Sequence, residues 1–281
     1  MPVQVRPRVK RAIDSHCHID LLHQKGFSEE EIFDKIKESD LVGVIQIAAH
    51  YESYSYSKKL AHRQDLPFEI WYSCGMHPHE ALKADLVKST EFIKAHREDK
   101  RLVAIGEIGL DYYYHPEQKE KDSAQKKVFA HFLGLAQELQ MPVIIHTREA
   151  HEDTVAMLKD FQIPFLIHCF TGNAKQMEEY LELGGYISFS GIVTFKNALP
   201  IQEAARLCPP DRMLVETDAP YLAPVPLRGK VNFPSYLFHT IEFLATLCNT
   251  SSEELMYLSL RNTHNFFGLK EQQVEKPAVS S

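Results

Sequence analysis

The sequence predicts an α/β chain folded as a closed (β/α)8 barrel, with a metal site at the C-terminal ends of the strands. Three observations point there. Eight short apolar runs recur along the 281 residues, each followed by a polar, helix-like segment. Most of the runs are rich in Val and Ile without clean polar alternation, as parallel strands covered on both faces should be. Several of them end in a histidine or a carboxylate, the position at which barrels of this kind carry their chemistry.

In chain order the runs fall at 12–18, 41–48, 68–74, 102–108, 142–146, 164–169, 186–190 and 212–218. The first, Ala12-Ile13-Asp14-Ser15-His16-Cys17-His18, reads as a buried strand that ends in polar chemistry. Residues two apart share a strand face, so His16 and His18 point one way and Cys17 the other. Ser28-Glu29-Glu30-Glu31 fits a capping box and opens a helix before the second run. Between Lys119 and Gln140 lies the longest amphipathic stretch, with Val128, Phe129, Phe132, Leu133 and Leu135 at helical spacing. Pro142 stops it. Shorter helices are expected over 173–184 and 199–207, each ended by Gly or Pro, and Ser251-Ser252-Glu253-Glu254 fits a second capping box. No Gly-rich phosphate loop follows any run, which favours the closed barrel over an open doubly wound sheet. One domain is expected over 12–268, between a basic N-terminal tail, 1–11, and a polar C-terminal tail, 269–281.

Composition narrows the function. A formal net charge of −7 argues against a broad basic surface that coats nucleic acid, while leaving room for a local basic rim. There is no run of 18 apolar residues, so no membrane span is expected. The start of the chain is basic but lacks the apolar core of a secretory signal. Five cysteines at 17, 74, 169, 208 and 248 form no C-x-x-C, and they read as reduced thiols of a cytoplasmic protein. Nothing in the sequence calls for an obligate protein partner.

The last polar residues of the runs share a chemistry. The first run supplies His16 and His18, the fourth Glu107, the fifth His146, the sixth His168, and the eighth Glu216 and Asp218. Taken singly, each is more often structural than functional. Four histidines with Glu107 and Asp218 on one rim form a divalent-metal donor set, suited to Zn, Mn, Fe or Ni, and to Mg where carboxylate and substrate oxygens dominate. Six ligands exceed what one catalytic ion takes from a protein, so the count favours two divalent ions with Glu107 as the bridge. Glu216, two residues before Asp218, is expected one layer deeper on the same face, orienting a metal-bound histidine.

The motif Asp14-Ser15-His16-Cys17-His18-Ile19-Asp20 resembles the N-terminal signature of the TatD family of metal-dependent deoxyribonucleases, within the wider amidohydrolase-like barrels. The same holds for Gly75-Met76-His77-Pro78-His79, Ile105-Gly106-Glu107-Ile108-Gly109-Leu110-Asp111, Val143-Ile144-Ile145-His146-Thr147-Arg148, His168-Cys169-Phe170-Thr171-Gly172 and Leu214-Val215-Glu216-Thr217-Asp218-Ala219-Pro220. The resemblance implies a TIM-like barrel with a two-metal hydrolase site. It places His16, His18 and Asp218 around one ion, His146 and His168 around the other, and Glu107 between them. Two departures stand out. In Arg228-Gly229-Lys230-Val231-Asn232-Phe233-Pro234, Phe233 stands where the family commonly has Glu, and His50 follows the second run where a small or hydroxylated residue is expected.

The leading expectation is hydrolysis of a nucleic-acid phosphodiester by a metal-activated water, in an exonuclease-like deoxyribonuclease, with RNA as the other candidate. Asp218 would align the water or take its proton, and His77 would assist the leaving oxygen. Arg148, Lys196, Arg228 and Lys230 on the loops, with His79, would hold the backbone of a nucleic acid bound locally at the site. Tyr112, Tyr113 and Tyr114 sit where bases could stack. Two alternatives remain open: a lactonase, phosphotriesterase or cyclic amidase on the same donor set, and a non-catalytic scaffold.

Overall fold

The computed structural model describes residues 11–114, 116–120 and 123–269. The two tails expected at the ends therefore lie almost wholly outside the described residues. Eight strands form one parallel sheet in sequence order: β1 (Ala12–Cys17), β2 (Leu41–Ala48), β3 (Glu69–Cys74), β4 (Leu102–Asp111), β5 (Val143–Arg148), β6 (Phe165–Ile167), β7 (Tyr186–Phe189) and β8 (Met213–Val215). The sheet closes through the residues just past β8. Asp218 N–H donates to the His16 carbonyl at 3.0 Å, and His18 N–H donates to the Ala219 carbonyl at 2.8 Å. The expected (β/α)8 barrel is the observed fold.

Helices cover the outside. After β1 come α1 (Ile19–Gln24) and α2 (Glu29–Lys37); α3 (Tyr51–Ala61), α4 (Leu86–Ala95) and α5 (Ala124–Leu139) follow β2, β3 and β4. Then α6 (His151–Leu158), α7 (Ala174–Glu182) and α8 (Leu199–Leu207) follow β5, β6 and β7, and α9 (Leu237–Leu247) and α10 (Ser252–Phe267) follow β8. At Ser28 the capping box forms in full. At Ser251 only its first half forms, the hydroxyl accepting from Glu254 N–H at 3.1 Å. The amphipathic stretch starts later than its sequence suggests, at Ala124 behind the N-cap Ser123, and ends where Gln140 turns left-handed before Pro142.

Strand alternation sorts the core into two layers. On β5, Val143 and Ile145 join the outer layer with Phe129, Phe132 and Leu133 of α5. Burying each of those α5 side chains contributes about 1.5–3 kcal/mol. Ile144 points inward with Ile13, Ile45, Val103, Leu166 and Leu214. Leu260, Phe266, Phe267 and Leu269 pack onto this inner layer, so the end of α10 plugs the N-terminal mouth of the barrel. The polar strand ends, His16, His18, Glu107, His146 and His168 among them, lie at the opposite, C-terminal mouth. Among the described residues no helix is long and apolar enough to cross a membrane.

Several strand ends differ from expectation, β5 running on to Arg148 and β6 stopping at Ile167 among them, and the differences at β4 and β8 shape that mouth. β4 runs three residues past its expected end at 108 and finishes at Asp111, all ten residues buried. The extension pairs with β5, Leu110 opposite Thr147 and Asp111 opposite Arg148, and the strand lies very close to its neighbours. A Cβ at Gly75 would come within 2.7 Å of the Glu107 carbonyl oxygen, and one at Gly109, whose φ is +143°, would collide with the His146 carbonyl. β8, by contrast, ends at Val215 instead of 218. Asp218 then adopts a left-handed φ of +55°, so its facing is set by its bond to β1 and not by strand alternation, while Glu216 N–H donates to the Phe189 carbonyl at the end of β7 at 3.2 Å.

Candidate metal centre

β1 delivers His16 and His18 to the mouth on one face, with Nε2 atoms 3.2 Å apart. Cys17 packs on the other face, in the outer core, its thiol 3.6 Å from the Ile45 carbonyl. Glu107 stands between two groups of imidazoles. Its Oε2 lies 3.6 Å from His16 Nε2 and 3.8 Å from His18 Nε2. Its Oε1 lies 2.7 Å from His168 Nε2 and 2.9 Å from His146 Nδ1. Asp218 Oδ1 completes the first group, 3.6 Å from His18 Nε2 and 3.8 Å from His16 Nε2. All six residues expected as ligands are thus brought together. Their donor atoms fall in overlapping sets within 4.8 Å of one another, one of which also joins His168 to His16 and Asp218. The rings of His16 and His168 stack at 3.9 Å.

The electrostatics of this cluster call for cations. Burial would raise the Glu107 carboxyl, yet the surrounding imidazoles hold it well below the usual carboxylate range. Burial opposes protonation of His18 and His168 as well, but Asp218 and Glu107 push His18 up to about 9, and Glu107 and Glu216 hold His168 well above its ordinary value. His16 goes the other way, lowered by burial and by the neighbouring His168. In this field protons stand in for the positive charge that divalent ions would supply, so the donor set fits such ions.

Second partners fix the rings. Glu216, fully buried, lies with Oε1 3.3 Å from His168 Nδ1, and the same oxygen accepts from Cys169 N–H at 2.6 Å. Asp111, to which the sequence reading gave no role, lies with Oδ2 3.3 Å from His146 Nε2 and 3.0 Å from His79 Nε2. His146 therefore presents Nδ1 to Glu107 and Nε2–H to a carboxylate. The signal was present in the sequence as the acid of Gly109-Leu110-Asp111, but it lies beyond the expected strand end. Asp14 was missed too. Its carboxyl, pushed up to about 8 by burial, accepts from Thr217 N–H at 2.9 Å and from the Thr217 hydroxyl, tying β1 to the segment that carries Asp218.

His77 lies with Nε2 3.6 Å from Glu107 Oε1, close enough to join a metal-binding set with Glu107 and His146. Its Nδ1 accepts the His79 N–H at 3.2 Å, however, which leaves the proton of the neutral ring on Nε2. Burial pushes its pKa well down and keeps the ring neutral. That makes His77 a hydrogen-bond donor toward the centre and a poor ligand.

Of the expected substrate contacts, Arg148 ends β5 with its guanidinium 3.9 Å from the Tyr113 ring centre and 4.9 Å from that of Tyr114. Arg228 stacks on Phe195 at 4.4 Å. Lys196, Arg228 and Lys230 are exposed on loops after β7 and β8, at the same end of the barrel as the imidazoles. Phe233 is buried, edge-on to Phe27 at 5.0 Å, so an apolar contact with the region of α2 replaces any polar one at that position. His50 sits before α3 with Nδ1 3.3 Å from Glu52 and Nε2 3.9 Å from Asp20, at the margin of the site.

Residues 13–268 match the family model described as TatD related DNase. An uncharacterized metal-dependent hydrolase, YcfH of Escherichia coli strain K12, is 37% identical over 94% of this chain and 98% of its own. The 3'-5' ssDNA/RNA exonuclease TatD of Pantoea vagans is 33% identical over 88% of this chain and 95% of its own. Among solved structures, the TatD homolog YJJV of Escherichia coli superposes with a TM-score of 0.83 at 27% identity, covering 93% of this chain and all of that one.

Proposed function

The chain belongs to the TatD-related DNase family and is a metal-dependent hydrolase, and from that premise we propose that it cleaves phosphodiester bonds of nucleic acid with two divalent ions. The observation that carries the proposal is the division of Glu107, one oxygen toward His16 and His18 and the other toward His146 and His168. His16, His18 and Asp218 would hold one ion, His146 and His168 the other, with Glu107 shared. Such ions act as Lewis acids, acidifying water and offsetting charge that builds on phosphate oxygens.

The chain's own residues supply the rest. Asp218, at the open side of the first group, accepts a proton from the attacking water or aligns it. Glu216 and Asp111 each hold an imidazole by its outward nitrogen and so fix which nitrogen faces the centre. His77, neutral and carrying its proton on Nε2, donates a hydrogen bond to the departing oxygen. Arg148, Lys196, Arg228 and Lys230 attract the phosphate backbone. The name of the Pantoea relative supports nucleic acid over other esters.

The test is a screen of purified protein loaded with Mg, Mn or Zn against end-labelled single-stranded DNA and RNA, alongside lactone, phosphotriester and cyclic amide substrates. Metal-dependent release of nucleotides with about two ions per chain by elemental analysis is expected. Turnover of the small substrates alone would refute the nuclease reading. A single ion per chain at full activity would refute the bridge.

A further inference from the structure

Beside the metal centre lie two tyrosines to which the hydrolysis above gives no part, in contact with Arg148. Tyr113 and Tyr114 follow β4, and the two residues are 53% and 58% exposed. Large aromatic rings left open to water next to a reactive centre point to a ligand with a flat face. The rings meet edge to face at 4.8 Å, and the Arg148 guanidinium rests on both. Among the described residues no carboxylate forms an ion pair with Arg148, and its guanidinium plane is held by the two rings.

The group is rigidly joined to the metal centre through Asp111. One oxygen of that carboxylate accepts from Tyr113 N–H at 3.0 Å and Tyr114 N–H at 3.3 Å. The other is bonded by His146, a member of the donor set. A second tie runs from Tyr112 N–H to the Arg148 carbonyl at 2.9 Å. A strand whose phosphate sits at the centre therefore passes a fixed aromatic surface within reach of its neighbouring base.

We propose that Tyr113, Tyr114 and Arg148 form a stacking platform that seats an unpaired nucleobase beside the metal centre and a phosphate on the guanidinium edge. The proposal rests on the nuclease reading above and names the side chains through which that site would hold a single-stranded end. Inside a duplex both faces of a base are covered by its stacked neighbours, whereas an unpaired terminal base offers a free face. Recognition of this kind is indifferent to base identity, because every base has such a face.

A single strand carrying 2-aminopurine at either terminal position reports stacking by fluorescence quenching without any turnover. Quenching is expected with the native protein and is lost with the exposed-surface double variant Tyr113→Leu/Tyr114→Leu. Binding of the strand weakens by roughly 5- to 150-fold per stacked base, and KM rises with it. The two losses do not add: a strand with abasic terminal positions costs the native protein the same factor and costs the variant little more. Quenching that persists in the variant, or additive losses, overturns the platform and leaves the nuclease reading standing. Failure of the nuclease reading looks different: the metal-loaded native protein then cleaves no oligonucleotide, intact or abasic, and the platform falls with it.

Discussion

Two carboxylates at the mouth of the barrel make opposite demands on chemistry. Asp218 faces His16 and His18 from a left-handed backbone position, and in the proposed reaction it is the acid that meets the attacking water. Asp218→Asn should fold normally by circular dichroism and hydrolyse its substrate at least ~100-fold more slowly, since both a ligand charge and a proton acceptor are lost. Near-parental turnover would remove Asp218 from the reaction. Asp111 touches the centre only through His146 and acts as a positioning residue. Asp111→Asn keeps the shape but accepts the Nε2 proton less strongly, so metal affinity should fall about 10- to 100-fold. A metal titration is the readout, and an unchanged dissociation constant would mean that His146 is oriented by packing alone.

At the scale of elements, β3 is held to its surroundings by Asp99, which lies between α4 and β4. Its carboxylate accepts from the Tyr72 hydroxyl of β3 at 3.0 Å and from Arg101 N–H at 3.0 Å, and lies 2.9 Å from His62 Nε2 at the end of α3. Burial would raise this acid, but His62, the Arg101 backbone and Tyr72 outweigh it and hold the pKa below its ordinary 3.8. A folded-state pKa below the unfolded one means stability that is present above the unfolded value and lost as pH falls through the folded one. Asp99→Asn should therefore lower the urea midpoint at neutral pH, and the gap should close below about pH 4. A gap that stays constant down to pH 3 would show that the contacts stabilise by shape and not by charge.

At the scale of the whole molecule, charge tests the proposed substrate. With a net charge of −7 the surface as a whole repels nucleic acid, so any salt-sensitive attraction must come from the local rim. Binding to a single strand should weaken with log salt at a slope of about −0.7 per phosphate contacted. Neutralising Arg228 and Lys230 together should flatten that slope and weaken binding most at low salt, with metal content unchanged. Binding that ignores both salt and these residues would turn the reading toward small neutral substrates.

Much of this molecule was legible in its sequence because the signals are local. Runs of Val and Ile read as covered strands wherever they occur, and period-two facing put His16 opposite Cys17 before any neighbour was known. Glu107, His146 and His168 stood out for the same reason, each at or beside the end of an apolar run. Three features needed the folded chain. Asp111 lies past the expected end of β4, on a continuation that pairs with Thr147 and Arg148 of β5. Asp218 reaches His16 and His18 because the segment after β8 leaves the strand and bonds to β1, some two hundred residues earlier. The division of Glu107 between two imidazole groups exists only once β1, β4, β5 and β6 meet around one axis. Alternation along a strand is a property of a few adjacent residues, whereas barrel closure and the convergence of distant strand ends depend on backbone pairing across the whole chain, which no local pattern encodes.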